Sequence, residues 1–130
     1  MNPISVGLLG IGTVGGGTWN VLARNQEEIT RRAGRGIRIT KVADKDLARA
    51  RQLVGDKAAV TADAYEVVSD PAIDIVVELI GGYTVALDLV LKAIENGKHV
   101  VTANKALLAT HGNEIFAAGR IMLYLCDNGF

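Results

Sequence analysis

Three features of the sequence predict a doubly wound α/β domain, with a mainly parallel sheet and helices on both of its faces. Short apolar runs alternate along the chain with stretches in which apolar residues recur at helical intervals. The first run, Ile4 to Leu9, ends in the turn Gly10-Ile11-Gly12-Thr13-Val14-Gly15, and the helical spacing begins at once after it. The alternation repeats as βαβαβαβαβαβ, and right-handed crossovers between parallel strands then put helices on both faces.

Each element has its own signal. Ile4 to Leu9 is apolar throughout, which fits a strand covered on both faces. Val14, Val21, Leu22 and Ile29 keep helical spacing, so one long helix is expected from Gly12 until Gly34 to Gly36 stop it. Ile37 to Ala43 is the second strand, and Leu47, Ala50 and Leu53 form one stripe of a charged helix closed by Gly55. A brief strand at Ala58 to Val60 and a helix at Asp63 to Val68 follow. Ser69-Asp70-Pro71 is a turn, because proline removes a donor and disfavours helical geometry before it. Ile73 to Ile80 is the most apolar strand, and Thr84 to Glu95 is a helix ended by Asn96-Gly97 in the manner of a left-handed cap. His99 to Thr102 makes the next strand, Lys105 to Ala118 the next helix, and Ile121 to Leu125 a last strand. With no repeat and no Pro- or Ser-rich linker, residues 1–130 are expected to form one domain.

Composition narrows the class. A chain of 130 residues that is 49% hydrophobic has enough apolar material for one core without covalent staples. Fourteen basic and 14 acidic residues cancel, so no net field draws the molecule to nucleic acid or an anionic membrane. Arg31, Arg32, Arg35 and Arg38 do cluster, but as the solvated end of a helix and its loop. The single Cys126 excludes an internal disulfide and fits a reducing compartment. Asp74, Glu78 and Asp88 interrupt the longest apolar stretches before they reach the length of a bilayer span, and the amino terminus lacks a secretory pattern. The expected location is the cytoplasm.

The glycine turn carries the first chemical inference. Gly10-x-Gly12-x-x-Gly15 follows a strand and opens a helix, the context in which the motif signals a dinucleotide site. In a Rossmann-type fold the first glycine allows the tight turn, the second admits the pyrophosphate, and the third lets the helix pack on the strand. The helix amino terminus then offers unpaired N–H groups and partial positive charge to the phosphates. Gly16 and Gly17 extend the run into the helix, where close packing against a strand or the cofactor would explain them.

Asp44 ends the second strand, somewhat beyond the usual spacing of about twenty residues from the glycine turn. A carboxylate there accepts from both ribose hydroxyls and repels a 2′-phosphate, which favours NAD over NADP. Lys45 beside it tolerates that phosphate, so NADP stays open; Asp44 also suits the N-cap of the next helix. Ile80-Gly81-Gly82 follows the fourth strand at the carboxyl edge, where backbone can approach a flat ring. Thr102-Ala103-Asn104-Lys105 reaches the same edge after the fifth strand. Lys105 is either a surface lysine beginning a helix or a cation able to hold an oxyanion or give up a proton beside the nicotinamide. No metal-ligand pattern accompanies these residues.

Three segments together, VGLLGIGTVGGG, VVELIGG and GKHVVTANKALLATHG, resemble the amino-terminal domain of homoserine dehydrogenase, from about Ile4 to Phe116. The resemblance implies a domain that binds NAD or NADP through Gly10, Ile11, Gly12, Thr13, Val14, Gly15, Asp44 and Lys45. It puts Ile80, Gly81 and Gly82 on the nicotinamide side, and it matches Lys105 to the lysine near cofactor and substrate. It further implies an oxidoreductase that interconverts L-homoserine and L-aspartate 4-semialdehyde on the way to threonine and methionine, with a second domain for dimerisation and substrate. Two departures stand out. Asp44 and Lys45 occupy positions where the family usually has a hydrophobic residue and an arginine, and Gly119 to Phe130 is compressed relative to the family's passage into its substrate domain. The 130 residues alone are therefore expected to bind cofactor without turnover, and exposed apolar surface to favour self-association. The competing reading is a non-catalytic dinucleotide-binding module or sensor.

Overall fold

A computed structural model of the chain describes residues 3–80, 84–102 and 121–123. The elements run β1 (Ile4–Leu9), α1 (Thr13–Arg24), α2 (Gln26–Ala33), β2 (Ile37–Ala43), α3 (Leu47–Val54), β3 (Ala59–Thr61), α4 (Ala64–Val68), β4 (Ile75–Glu78), α5 (Thr84–Glu95), β5 (His99–Thr102) and β6 (Ile121–Leu123). The six strands form one sheet in the order β3-β2-β1-β4-β5-β6, and every pairing is parallel. The order reverses between β1 and β4, and in doubly wound folds the crevice that takes a ligand lies at such a reversal, beyond the carboxyl ends of the strands.

The predicted double winding is present as two cores divided by the sheet. Leu9, Ala43, Val76 and Val100 join α4 and α5 through Val67, Val68, Leu89 and Val90. On the other face Val6, Leu8, Ile39 and Val42 pack with Ala50 and Val54 of α3 and with Trp19 of α1. Neighbours in a strand point to opposite faces, so Leu8 and Leu9 serve different cores, as do Val42 and Ala43. Removing Leu8 or Leu9 fully from water contributes roughly 1.5 to 3 kcal/mol each.

Strands β1, β2 and β5 and helix α5 have the limits read from the sequence, α4 begins one residue after the predicted Asp63, which is its N-cap, and three further elements differ. The single long helix expected after the glycine turn is two helices parted at Asn25. The Asn25 side-chain amide donates to the Val21 carbonyl at 2.8 Å, adding a side-chain bond where the backbone leaves helical geometry. Helix α2 then ends at Gly34. Strand β4 is shorter than the predicted Ile73 to Ile80 because side chains take the hydrogen bonds at both of its margins. Lys98 Nζ donates to the Ile73 carbonyl at 2.8 Å, and the Glu78 carboxylate accepts from the Ile80 N–H at 2.8 Å. Strand β3 lies one residue later than expected. The predicted helix from Lys105 to Ala118 and the end of the last strand at Tyr124 and Leu125 fall outside the described residues.

Gly7, in the middle of β1, fits α4 and the segment after it closely against the sheet. A Cβ added there would overlap Val67 Cγ1 and stand 3.0 Å from Ile73 Cδ1. Of the two explanations open for Gly16 and Gly17, close packing against a strand is not seen among the described residues. A Cβ on Gly16 would find ordinary contacts of 3.6 Å or more, and one on Gly17 would meet nothing within 4 Å.

Candidate functional site

The chain leaves β1 at the crevice, and the departure is held by backbone. Gly10 donates its N–H to the Ala43 carbonyl at 2.8 Å, extending the β1–β2 pairing by one step. Its φ of +95° is a conformation that side-chain-bearing residues rarely adopt, and a Cβ would stand 3.3 Å from the Leu79 carbonyl carbon and oxygen. The tight turn assigned to Gly10 is thus required twice over, by torsion and by the approach of β4.

Gly12 has the opposite environment. It is exposed, it is the N-cap of α1, and among the described residues a Cβ on it would meet no atom within 4 Å. Open space therefore lies where the sequence reading put the pyrophosphate. As a glycine N-cap it brings no side chain to the first-turn N–H groups of α1, and no acidic residue lies in that turn. The residues present fit a dinucleotide phosphate at this end of the helix. Thr13, Val14 and Gly15 form the first turn of α1.

Ile11 between the two glycines is buried, at 1% exposure, and belongs to the core on the α3 side. Its N–H donates to Asp44 Oδ2 at 2.7 Å, across 33 positions of sequence. The other oxygen of the same carboxylate accepts the Asp46 N–H at 2.8 Å. Asp44 thereby ties the glycine turn to the turn after β2. Each oxygen of an ionised carboxylate has two lone pairs, so acceptor capacity for ribose hydroxyls remains on both. The alternative role of Asp44 as helix N-cap goes instead to Asp46, whose Oδ1 accepts the Arg49 N–H of α3 at 3.1 Å. Lys45, between them, is exposed.

At the far side of the crevice β4 and β5 end opposite one another, with Glu78 paired to Thr102. Ile80 is 44% exposed at this edge. Gly81, Gly82 and Lys105 lie outside the described residues. The sequence reading gave Glu78 no part beyond interrupting an apolar run, yet it is fully buried. Its Oε1 accepts the Ile80 N–H at 2.8 Å and its Oε2 accepts the Thr102 hydroxyl at 2.7 Å. The signal was available in Ile73 to Ile80, where a carboxylate follows three consecutive apolar residues at the end of a strand.

Elsewhere the charged side chains are structural. Lys98 is buried at the opposite edge of the sheet and donates to the carbonyls of Asp70 and Ile73; burial holds its ammonium below the usual lysine range. The Ala72 N–H and then Lys41 hold the Asp70 carboxyl below the usual carboxylate range. Tyr65 of α4 donates its hydroxyl to Asp88 of α5, which raises the phenol above its ordinary value. Among the described residues no helix is long and apolar enough to cross a membrane.

Comparison with known proteins agrees with this arrangement. The family described as homoserine dehydrogenase, NAD binding domain, matches residues 10–121. The homoserine dehydrogenase of Methylobacillus glycogenes is 77% identical over 109 residues, which cover 84% of this chain and 26% of that protein. That of Pseudomonas aeruginosa is 63% identical over 122 residues, covering 92% and 27%. The crystal structure of a homoserine dehydrogenase from Thiobacillus denitrificans is 58% identical, with a TM-score of 0.89 over 96% of this chain and 30% of that one. The chain spans about a quarter of the length of the curated relatives it matches. A parallel sheet with its glycine turn at the reversal of strand order, matched in sequence and in backbone, leads to one assignment: the chain belongs to the homoserine dehydrogenase family and carries its nicotinamide-dinucleotide-binding domain.

Proposed function

We propose that the chain is the cofactor half of an enzyme that interconverts L-homoserine and L-aspartate 4-semialdehyde, in the synthesis of threonine and methionine, and that residues 1–130 act as one dinucleotide-binding unit. The observation that carries the reading is the open space at Gly12 in front of α1, beside a carboxylate already fixed at Asp44. The pyrophosphate lies against Gly12 and the first turn formed by Thr13, Val14 and Gly15. The adenine-side ribose gives its hydroxyls to Asp44, and the nicotinamide side extends toward Ile80, Gly81 and Gly82. When bound, the nicotinamide exchanges a hydride with the substrate carbon. Lys105 is the residue that holds or protonates the substrate oxygen, a role supported by its match to the family's lysine. The substrate's carboxylate and amine are recognised by residues of the family's second domain, which also forms the dimer, and the location is the cytoplasm.

Cofactor choice follows from charge. A 2′-phosphate brought to the Asp44 carboxylate adds like-charge repulsion that the exposed Lys45 offsets only in part, so NAD is the preferred partner. Calorimetric titration of the 130-residue chain with NAD and NADP tests this, with tighter NAD binding expected and a smaller ratio in Asp44→Ala. Equal or tighter NADP binding would show that Lys45 governs the choice.

A further inference from the structure

Glu78 stands out as a carboxylate buried at the end of a central strand, with both of its oxygens bonded. It ends the central strand β4 between β1 and β5, where its neighbours Val76 and Val77 are apolar and its own exposure is 0%. Burying a carboxylate costs several kcal/mol before its partners compensate, and a well-packed apolar residue of similar size is often at least as stabilising. A position that keeps the costlier group is using its geometry.

That geometry joins two strand exits. Ile80 N–H is taken by Oε1, and Leu79 N–H is already spent on the Leu9 carbonyl at 2.9 Å, so the side chain of Glu78 fixes the first residue to leave the sheet after β4. Oε2 accepts the hydroxyl of Thr102, the last residue of β5. In sequence, Ile80 leads directly into Gly81-Gly82, and Thr102 leads into Ala103-Asn104-Lys105. One buried side chain is thus bonded to the starting points of both segments assigned to the nicotinamide side. The bonds described for the glycine turn and Asp44 run through β1, β2 and the turn after β2.

We propose that Glu78 is a positioning residue for the nicotinamide half of the site, locking the exits of β4 and β5 into one arrangement before cofactor arrives. The proposal rests on the dinucleotide reading above. It separates the two halves of the ligand: Glu78 governs the grip on the nicotinamide end and leaves the adenosine diphosphate end alone.

The test is calorimetric titration of the 130-residue chain with NAD and with ADP-ribose, which lacks the nicotinamide. Glu78→Leu loses both hydrogen bonds and should weaken NAD about fivefold to tenfold while leaving ADP-ribose unchanged. Glu78→Gln can accept from Ile80 N–H through its oxygen and donate to Thr102 Oγ1 through its nitrogen, so it should bind both ligands as the unaltered chain does. Thr102→Val should reproduce part of the loss and Thr102→Ser restore it, a pair that decides the matter if Glu78→Leu does not fold. An unchanged NAD to ADP-ribose ratio in Glu78→Leu and Thr102→Val, or an equal loss of both ligands, would overturn the proposal. So would a Gln variant as weak as Leu, since charge rather than the bonded geometry would then be at work. If the unaltered chain bound neither ligand, the dinucleotide site itself would be overturned, by a result that no Glu78 variant produces.

Discussion

Gly10 and Gly12 stand two positions apart in one turn, and substitution should separate their jobs. Alanine at 10 would occupy a left-handed conformation and press on the Leu79 backbone, so Gly10→Ala should lower the unfolding free energy by about 1 to 2 kcal/mol or more in urea titration. Valine at 12 would enter open space, so Gly12→Val should keep the unfolding midpoint and abolish dinucleotide binding. Midpoint loss at 12 without binding loss would reverse the assignment. Asp70 gives a prediction in pH. Its folded carboxyl titrates below the unfolded one, first through the Ala72 N–H and then through Lys41, so its stabilisation is complete above the unfolded value and disappears as pH falls through the folded value. Unfolding free energy should therefore drop as pH falls below about 4, and less steeply in Asp70→Asn. The tight turn at Gly10 was legible in the sequence because a motif fixes the spacing of the glycines, and Asp44 because it follows the apolar run Ile37 to Ala43. The bond from Ile11 N–H to Asp44 was not, since it joins residues 33 positions apart that only the β1–β2 pairing brings together.

At the scale of elements, α4 is set by a residue of the strand beneath it. Gly7→Ala should push Val67 and Ile73 away from the sheet and destabilise the domain by about 1 to 3 kcal/mol in thermal or urea unfolding. If the variant were as stable as the parent, α4 would have room to move that the packing does not suggest. The strands legible in full, β1, β2 and β5, are those whose apolar runs end at clear turn residues. The misjudged limits of the first helix and of β4 have a common cause in side chains that compete for backbone groups. Asn25 bonds the Val21 carbonyl within the expected long helix, Lys98 takes the carbonyl of Ile73, and Glu78 takes the N–H of Ile80. Apolar periodicity reports which residues face the core and is blind to such bonds. The same blindness hid the bonds of Glu78 to Ile80 and Thr102.

At the scale of the whole molecule, the proposed function makes the place where strand order reverses between β1 and β4 one wall of a reaction site. Hydride transfer needs the substrate held at roughly 3 to 3.5 Å from the nicotinamide, and such positioning is worth about 7 to 11 kcal/mol of barrier. The purified 130-residue chain should accordingly bind NAD and produce no NADH from homoserine, followed at 340 nm, the nicotinamide absorbance band. Steady NADH production, lost in Lys105→Ala, would show that these residues complete the site by themselves. Ile80 and Val85, 44% and 56% exposed on either side of residues 81–84, are apolar surface at the edge where that reading puts the second domain. The carboxylate of Asp44 bears on how such an enzyme could be redesigned or could drift in evolution. If, as proposed, the side chain that anchors the glycine turn also takes the ribose hydroxyls, cofactor preference and cofactor affinity are inherited together. Removing the acid to admit NADP also frees the Ile11 N–H, and the turn that must grip either cofactor loosens. The productive route to NADP use keeps an acceptor at position 44 and adds positive charge around position 45.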